Sequence, residues 1–388
     1  MVKHVLNQGE IMGKEKIFDG HLHTFRFKVS VRESINLFQR QFDRFNIKKA
    51  TFLSLPLDAV PGRVGIEDTD LLDNIRSIYF KSVFSPFTYA YAGLEYKGLD
   101  LSDKKAVAED LLRQVKEFKA VGYDGMKMYE GHPNMHKVLG YDLDDEVYDL
   151  YWDWCEKENF PIIMHLANPE YMWHYDQVSE YWRARGCYFD ETYPSFDGLH
   201  QEVLRMLKKH PKLNFTLAHW GFMTYNKEVA EQFMAFENTK WDVCPGDINM
   251  FNVLDDKEYW VEFIKKYSDK IFYGTDSYNF EYDNEENWLT ATGRRPIFVQ
   301  EFFGSDKEST YFNKKFKGIK LDKKYRKKIY YDNLSDMLGE PNKIDYDFFI
   351  KKCEKLLETV DENSLDRYNL WCMKNDFQTM QKGEKLKV

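Results

Sequence analysis

Two histidines one residue apart, His21 and His23, close the run Ile17-Phe18-Asp19-Gly20-His21-Leu22-His23 near the start of the chain. On an extended strand alternate side chains share a face, so both imidazoles point the same way, about 7 Å apart along the backbone. Such a pair can chelate a metal, but it needs further ligands from elsewhere in the fold. Three later apolar runs end on residues of the right kind, at Met164-His165, Ala218-His219 and Gly274-Thr275-Asp276. A lone histidine after an apolar run is more often a satisfied core residue. Four such endings together are harder to ascribe to packing, because crowding several desolvated polar side chains is costly unless they act jointly.

These residues need a frame that brings strand ends together. Short β-rich runs alternate along the chain with amphipathic helical patterns, the signature of parallel βα units, and eight are legible. The strands are predicted to end at His23 and to cover Ala50–Leu55, a run within Phe87–Leu94, Gly125–Tyr129, Pro161–His165, Leu213–His219, Trp241–Cys244 and Ile271–Asp276. Helices are predicted over Arg32–Phe45, Lys104–Ala120, Asp145–Glu158, Gln201–Lys209, Lys227–Phe236 and Asp256–Tyr267. Eight units of this size suit a (β/α)8 TIM barrel, whose strands converge at their carboxyl ends on one rim. An open doubly wound sheet would show a glycine-rich phosphate loop after the first strand, and none is present. One domain is expected over residues 1–388, with the barrel at about 17–340 and a helical extension from about 341 to 388. Phe348, Phe349, Leu356 and Leu357 give that extension an apolar face to dock.

Composition narrows the partners. The 388 residues carry a formal charge of −9 with both signs interspersed, which argues against a nucleic-acid or anionic-membrane surface. The five cysteines form no C-x-x-C pair, which fits a reducing, cytoplasmic compartment rather than a disulfide or zinc-thiolate scaffold. No apolar stretch is long enough for a membrane span, and the first sixteen residues lack the apolar run of a signal peptide.

Taken in order, Phe18-Asp19-Gly20-His21-Leu22-His23, Gly125-Met126-Lys127-Met128-Tyr129, Met164-His165, Ala218-His219, Gly274-Thr275-Asp276-Ser277 and the closing Tyr330–Gly339 stretch resemble the amidohydrolase superfamily, in its amidohydrolase-2 branch. The resemblance spans roughly Ile17 to Gly339. It implies that His21, His23, His165 and Asp276 hold one divalent metal, commonly zinc. It implies that His219 faces the water or substrate beside the metal, where a protonated ring would stabilise an oxyanion. Asp276 would be ligand and proton acceptor together, its second oxygen being free. Related barrels often dimerise, so a homodimer is also expected.

Lys127 stays open between three readings. It could be carboxylated and bridge two metals with His165 and His219. Its ammonium could bind a substrate carboxylate. It could also pair with Glu95 or Glu130. Substrate contacts are expected from His132 beyond strand four and from Trp220, placed beside the metal. Asp247 and Asn249 are rim candidates after strand seven. The insertion at 167–198 is expected to act as a lid, with Tyr171, Trp173 and Arg183 facing the substrate. A second insertion, at 277–320, carries Tyr278, Phe280, Tyr282, Trp288, Arg294 and Arg295 to the other side of the pocket. His174 lies off any strand end, and His4, His200 and His210 read as surface or helix residues.

The expected activity is metal-dependent hydrolysis of a C–N or C–O bond, in an amide, lactone or ester of a small carboxylated molecule. The alternative is non-oxidative decarboxylation of an aromatic or enoic acid. A catalytically inactive binding barrel is the third possibility.

Overall fold

A computed structural model describes residues 15–24, 29–56, 72–245, 249–277, 285–311 and 314–386, with side chains from 293 onward in the helix at 285–304. Eight strands form one sheet: β1 (Ile17–His23), β2 (Ile47–Leu53), β3 (Thr88–Gly93), β4 (Gly125–Met128), β5 (Ile162–Met164), β6 (Phe215–Leu217), β7 (Thr239–Asp242) and β8 (Ile271–Phe272). They pair in chain order, each neighbour parallel. The segment after β8 closes the circle on β1, where Gly20 N donates to Tyr273 O (2.9 Å), Asp276 N to His21 O (2.8 Å) and His23 N to Ser277 O (2.9 Å). This is the expected (β/α)8 barrel.

The helices pack outside for the reason their patterns imply. Helix Val31–Phe45 buries Ile35, Phe38, Phe42 and Phe45, is started by a Ser30–Glu33 capping box and is stopped by Asn46 in the left-handed region. Helix Leu72–Val83 had no sequence prediction. Eleven of its twelve residues are buried, the polar Asp73, Asn74, Arg76 and Lys81 among them. Beyond the barrel, helices Tyr346–Leu357 and Leu365–Gln381 pack on each other and on these two helices. Asn369 Oδ1 accepts from Val31 N (3.0 Å), and Asp376 binds Arg32 (2.6 Å) and the Tyr79 hydroxyl (2.7 Å).

The two ends of the barrel differ. At the amino ends of the strands, Phe18, Tyr89, Phe272 and Leu334 form an apolar plug. At the carboxyl ends the ladders of β5, β6 and β8 stop at Met164, Leu217 and Phe272, earlier than predicted. His165, His219 and Asp276 stand just past these ends, on the rim, with Asp276 still tied to β1 through His21 O. No helix among the described residues is long and apolar enough to cross a membrane.

Candidate metal centre

His21, His23 and Asp276 meet at the rim. The two Nε2 atoms lie 3.0 Å apart, and Asp276 Oδ1 is 3.2 Å from His23 Nε2 and 3.7 Å from His21 Nε2. A two-against-three register shift between Asp19 and Leu22 re-aims β1 at this point. Asp19 is fully buried and ties the strand to its neighbour, accepting from His21 N (3.1 Å), Thr275 N (3.1 Å) and the Thr275 hydroxyl (2.6 Å). Burial pushes its carboxyl up to about 7. Gly274 is required because a Cβ there would stand 2.6 Å from Cys244 Sγ and 2.9 Å from His21 Cβ.

The second nitrogens fix the tautomers. His21 Nδ1 is 2.6 Å from Asp242 Oδ2, and His23 Nδ1 is 3.0 Å from the Leu53 carbonyl. Both partners can only accept, so both Nδ1 atoms carry the proton. Burial, reinforced by Lys127, holds both rings below the usual histidine range and therefore neutral. Each Nε2 is then unprotonated, and its lone pair and that of Asp276 Oδ1 face one another. Three proton-free donor atoms facing one another repel unless a cation lies between them, so the donor set fits a divalent metal. Asp276 stays ionised: burial alone would raise its pKa, but the Arg295 guanidinium, the foremost opposing group, holds the carboxyl well below the usual range.

His165 does not join this group. Its Nε2 is 3.2 Å from the Asn168 amide, whose other end lies 2.9 Å from His132 Nε2. His132 Nδ1 accepts from Asn134 N, so His132 Nε2 must donate. Turning the amide end for end gives His132 its acceptor and points an N–H at His165 Nε2. Burial, with Lys127, pushes His165 down to about 4.

His219 lies between the two sets, its ring 5.2 Å from that of His21 and 5.0 Å from that of His165. The chain leaves β6 through a left-handed turn, with φ of 55°, 56°, 58° and 51° at His219, Trp220, Gly221 and Phe222. Three non-glycine residues held there cost about 1 kcal/mol or more each, strain of the kind that gathers at functional sites. Asp242 Oδ1 (from His219 N, 2.7 Å), Asn249 (to His219 O, 2.9 Å) and His200 (with Gly221 O, 2.8 Å) pin the turn. Among the described residues His219 Nδ1 is buried with no hydrogen-bond partner. Burial keeps the ring neutral, which replaces the protonated form that oxyanion stabilisation required.

Other expectations are corrected. The left-handed turn swings Trp220 away from the rim into the core, stacked 6.2 Å from Phe303 and fully buried. Lys127 pairs with neither glutamate: Glu130 takes the Tyr96 hydroxyl (2.9 Å), and Glu95 takes Asn74 (2.8 Å) and Lys352 (3.4 Å). Lys127 Nζ is instead 3.4 Å from His21 Nε2, and burial lowers its pKa against the pull of Asp242 and Asp276. Arg183 donates to the carbonyls of Tyr175 and Val178 and stacks on Tyr175, inside its own insertion. Tyr171 and Trp173 pack around Met172, Val178, Cys187 and Phe189 in the insertion's own apolar cluster. His132 is stacked 4.6 Å from Tyr129 as a support behind His165. Asp276 Oδ2, expected to be free, is held by Arg295 Nη1 at 2.8 Å. His200 is on a helix but buried, as is His210 in the turn after it, so neither is a surface residue. His4, Asp247, Tyr278, Phe280, Tyr282 and the side chain of Trp288 lie outside the described residues.

Asp242 and Asn168 had no assigned role in the sequence, and Arg295 was expected only on the other side of the pocket, not on Asp276. Asp242 left a signal, an acid inside the otherwise apolar run Trp241–Cys244. A separate group, His136, Asp142 and Glu202, also lies close enough for a metal, but His136 Nε2 and Leu143 N already bind Glu202 Oε2, both at 2.9 Å.

Among solved structures the chain aligns with 2,6-dihydroxybenzoate decarboxylase from Rhizobium at 16% identity and TM-score 0.46, covering 84% of this chain and 98% of that one. It aligns with a zinc-bound amidohydrolase from Burkholderia multivorans at 9% and 0.48, covering 84% and 100%. It aligns with 4-oxalomesaconate hydratase from Rhodopseudomonas palustris at 14% and 0.49, covering 88% and 99%. No curated protein matches the chain. The amidohydrolase family model (Amidohydro_2) matches residues 95–339, from just after β3 to the end of the barrel, so the His21–His23 pair rests on its own geometry. With more than half of its length in that match, the chain belongs to the amidohydrolase family.

Proposed function

We propose that the protein is a divalent-metal-dependent hydrolase that cleaves a C–N or C–O bond in a small carboxylated molecule. The observation that carries this reading is the mutual approach of three proton-free donor atoms, His21 Nε2, His23 Nε2 and Asp276 Oδ1, within 3.7 Å of one another. A zinc-class ion held there supplies Lewis acidity, making water nucleophilic near neutral pH and polarising a substrate oxygen. Asp242 and the Leu53 carbonyl keep both imidazoles turned and unprotonated at Nε2. His165 becomes a further ligand if Asn168 releases it. His219 is a neutral ring with an unpartnered nitrogen, able to take a proton from the attacking water or return one to the leaving group. Lys127 is placed to donate to a substrate oxygen beside His21. One ion is preferred, with Lys127 as an uncarboxylated amine. The five cysteines are free and buried, which suits a cytoplasmic setting, and a homodimer is part of the proposal.

Decarboxylation is the second reading. The observation favouring it is Arg295 on Asp276 Oδ2, which withholds the carboxylate that hydrolysis would use to move protons. The test is turnover of zinc-loaded and chelator-treated protein on carboxylated lactones, amides and benzoates. Chelator-sensitive ring opening or amide cleavage is the expected result. Release of CO₂ alone selects the second reading. Turnover indifferent to chelation sinks both.

A further inference from the structure

Arg295 approaches the centre from outside the sheet. It sits on helix Glu285–Gly304, beyond the last strand, and its Nη1 donates to both Asp276 Oδ2 (2.8 Å) and the Asp276 carbonyl. Asp276 therefore divides its carboxylate, Oδ1 towards the two imidazoles and Oδ2 towards the guanidinium. Arg295 and Asp276 are each 18% exposed at their side chains, whereas His21, His23, His219 and Lys127 are 5% exposed or less. A molecule entering from solvent thus meets the ion pair before it meets His21, His23 or His219.

The pair is arranged to be exchanged. A divalent cation on Oδ1 takes up most of Asp276's charge and so weakens the hold of Oδ2 on the guanidinium. Among the described residues, that cation and the guanidinium would then share the Asp276 carboxylate, which favours an incoming anion. A guanidinium also matches the fork of a carboxylate, which the buried Lys127 amine does not.

We propose that Arg295 is the anchor for a substrate carboxylate, resting on Asp276 until a carboxylated molecule displaces it. The proposal rests on the metal-centre reading above and narrows its substrates to acids whose carboxylate lies beside the reacting group. It also reconciles the two roles of Asp276: while Arg295 rests there, Oδ2 accepts no proton, and arrival of the acid frees it.

The test is calorimetric titration of benzoate, and of its uncharged counterpart benzamide, into zinc-loaded protein with zinc content measured in parallel. Benzoate is expected to bind at least about tenfold more tightly, the scale of a charge-assisted contact. Arg295→Gln should keep its zinc and lose the preference, and Arg295→Met replaces it should the first variant fail to fold. Arg295→Lys, with charge but no fork, should keep part of the preference. Equal binding of the two probes by the unaltered protein, or a preference that survives Arg295→Gln, overturns the anchor. An unaltered protein that takes up no zinc overturns the metal reading and the anchor together, and the zinc content alone distinguishes that outcome.

Discussion

The insertion after β5 and the segment after β8 are both rich in aromatic and basic residues, yet they stand in different relations to the rim. The first closes on itself. Phe189 packs on Trp173 (4.7 Å) and Tyr193 (5.3 Å), Trp173 Nε1 donates to Pro194 O (3.0 Å), and Arg183 and Arg185 stack on the insertion's own Tyr175 and Tyr181. It reaches the centre through Asn168 at its root and the Phe189 edge on His132 (6.1 Å). The second places one guanidinium on the carboxylate of the centre. In the insertion after β5 aromatic density therefore reports a local core, while among the described residues contact with the site is made by single hydrogen-bonding groups.

That contrast can be broken from either side. The largest effect is expected on the barrel side, from Asp242→Asn. An amide no longer fixes the His21 tautomer, and zinc affinity should fall 10- to 100-fold, read by competition with a chromophoric chelator, with the insertion's resistance to proteolysis unchanged. Trp173→Ala should do the reverse. Losing a partly buried indole costs about 2–3 kcal/mol of local stability, seen as faster cleavage within 167–198, while zinc affinity holds within about twofold. A tenfold loss of zinc affinity in that variant would show that the insertion builds the centre after all.

Glu130 lies outside both regions and supplies the control. Burial is the main reason its carboxyl is pushed up to about 7 from 4.5; the Tyr96 hydroxyl and Lys127 oppose the shift. The folded state therefore holds a proton that the unfolded chain releases, and stability should fall as pH rises from about 4.5 to about 7, by up to about 1.4 kcal/mol per pH unit. Glu130→Gln should flatten that segment of the unfolding free-energy profile. A slope unchanged in the variant would assign it to another group, Asp19 first.

Much of this was legible in the chain because alternation along a strand is a local rule. His21 and His23 had to share a face, and apolar runs ending in His165, His219 and Asp276 had to deliver them to one rim. What escaped depends on geometry that no period encodes. The left-handed turn after β6 decides that His219 stays at the rim while Trp220 enters the core. The Asn168 amide decides that His165 stands apart from its expected partners. Arg295 follows Asp276 by nineteen residues and returns to it only through the placing of a helix.

The most direct test of the centre is zinc stoichiometry by elemental analysis, after chelation and reloading, for the unaltered chain and for His23→Ala. The expected result is one tightly held equivalent, lost in the variant while the fold persists by circular dichroism. An unaltered chain that binds no zinc, or a His23→Ala chain that keeps its full equivalent, would contradict it.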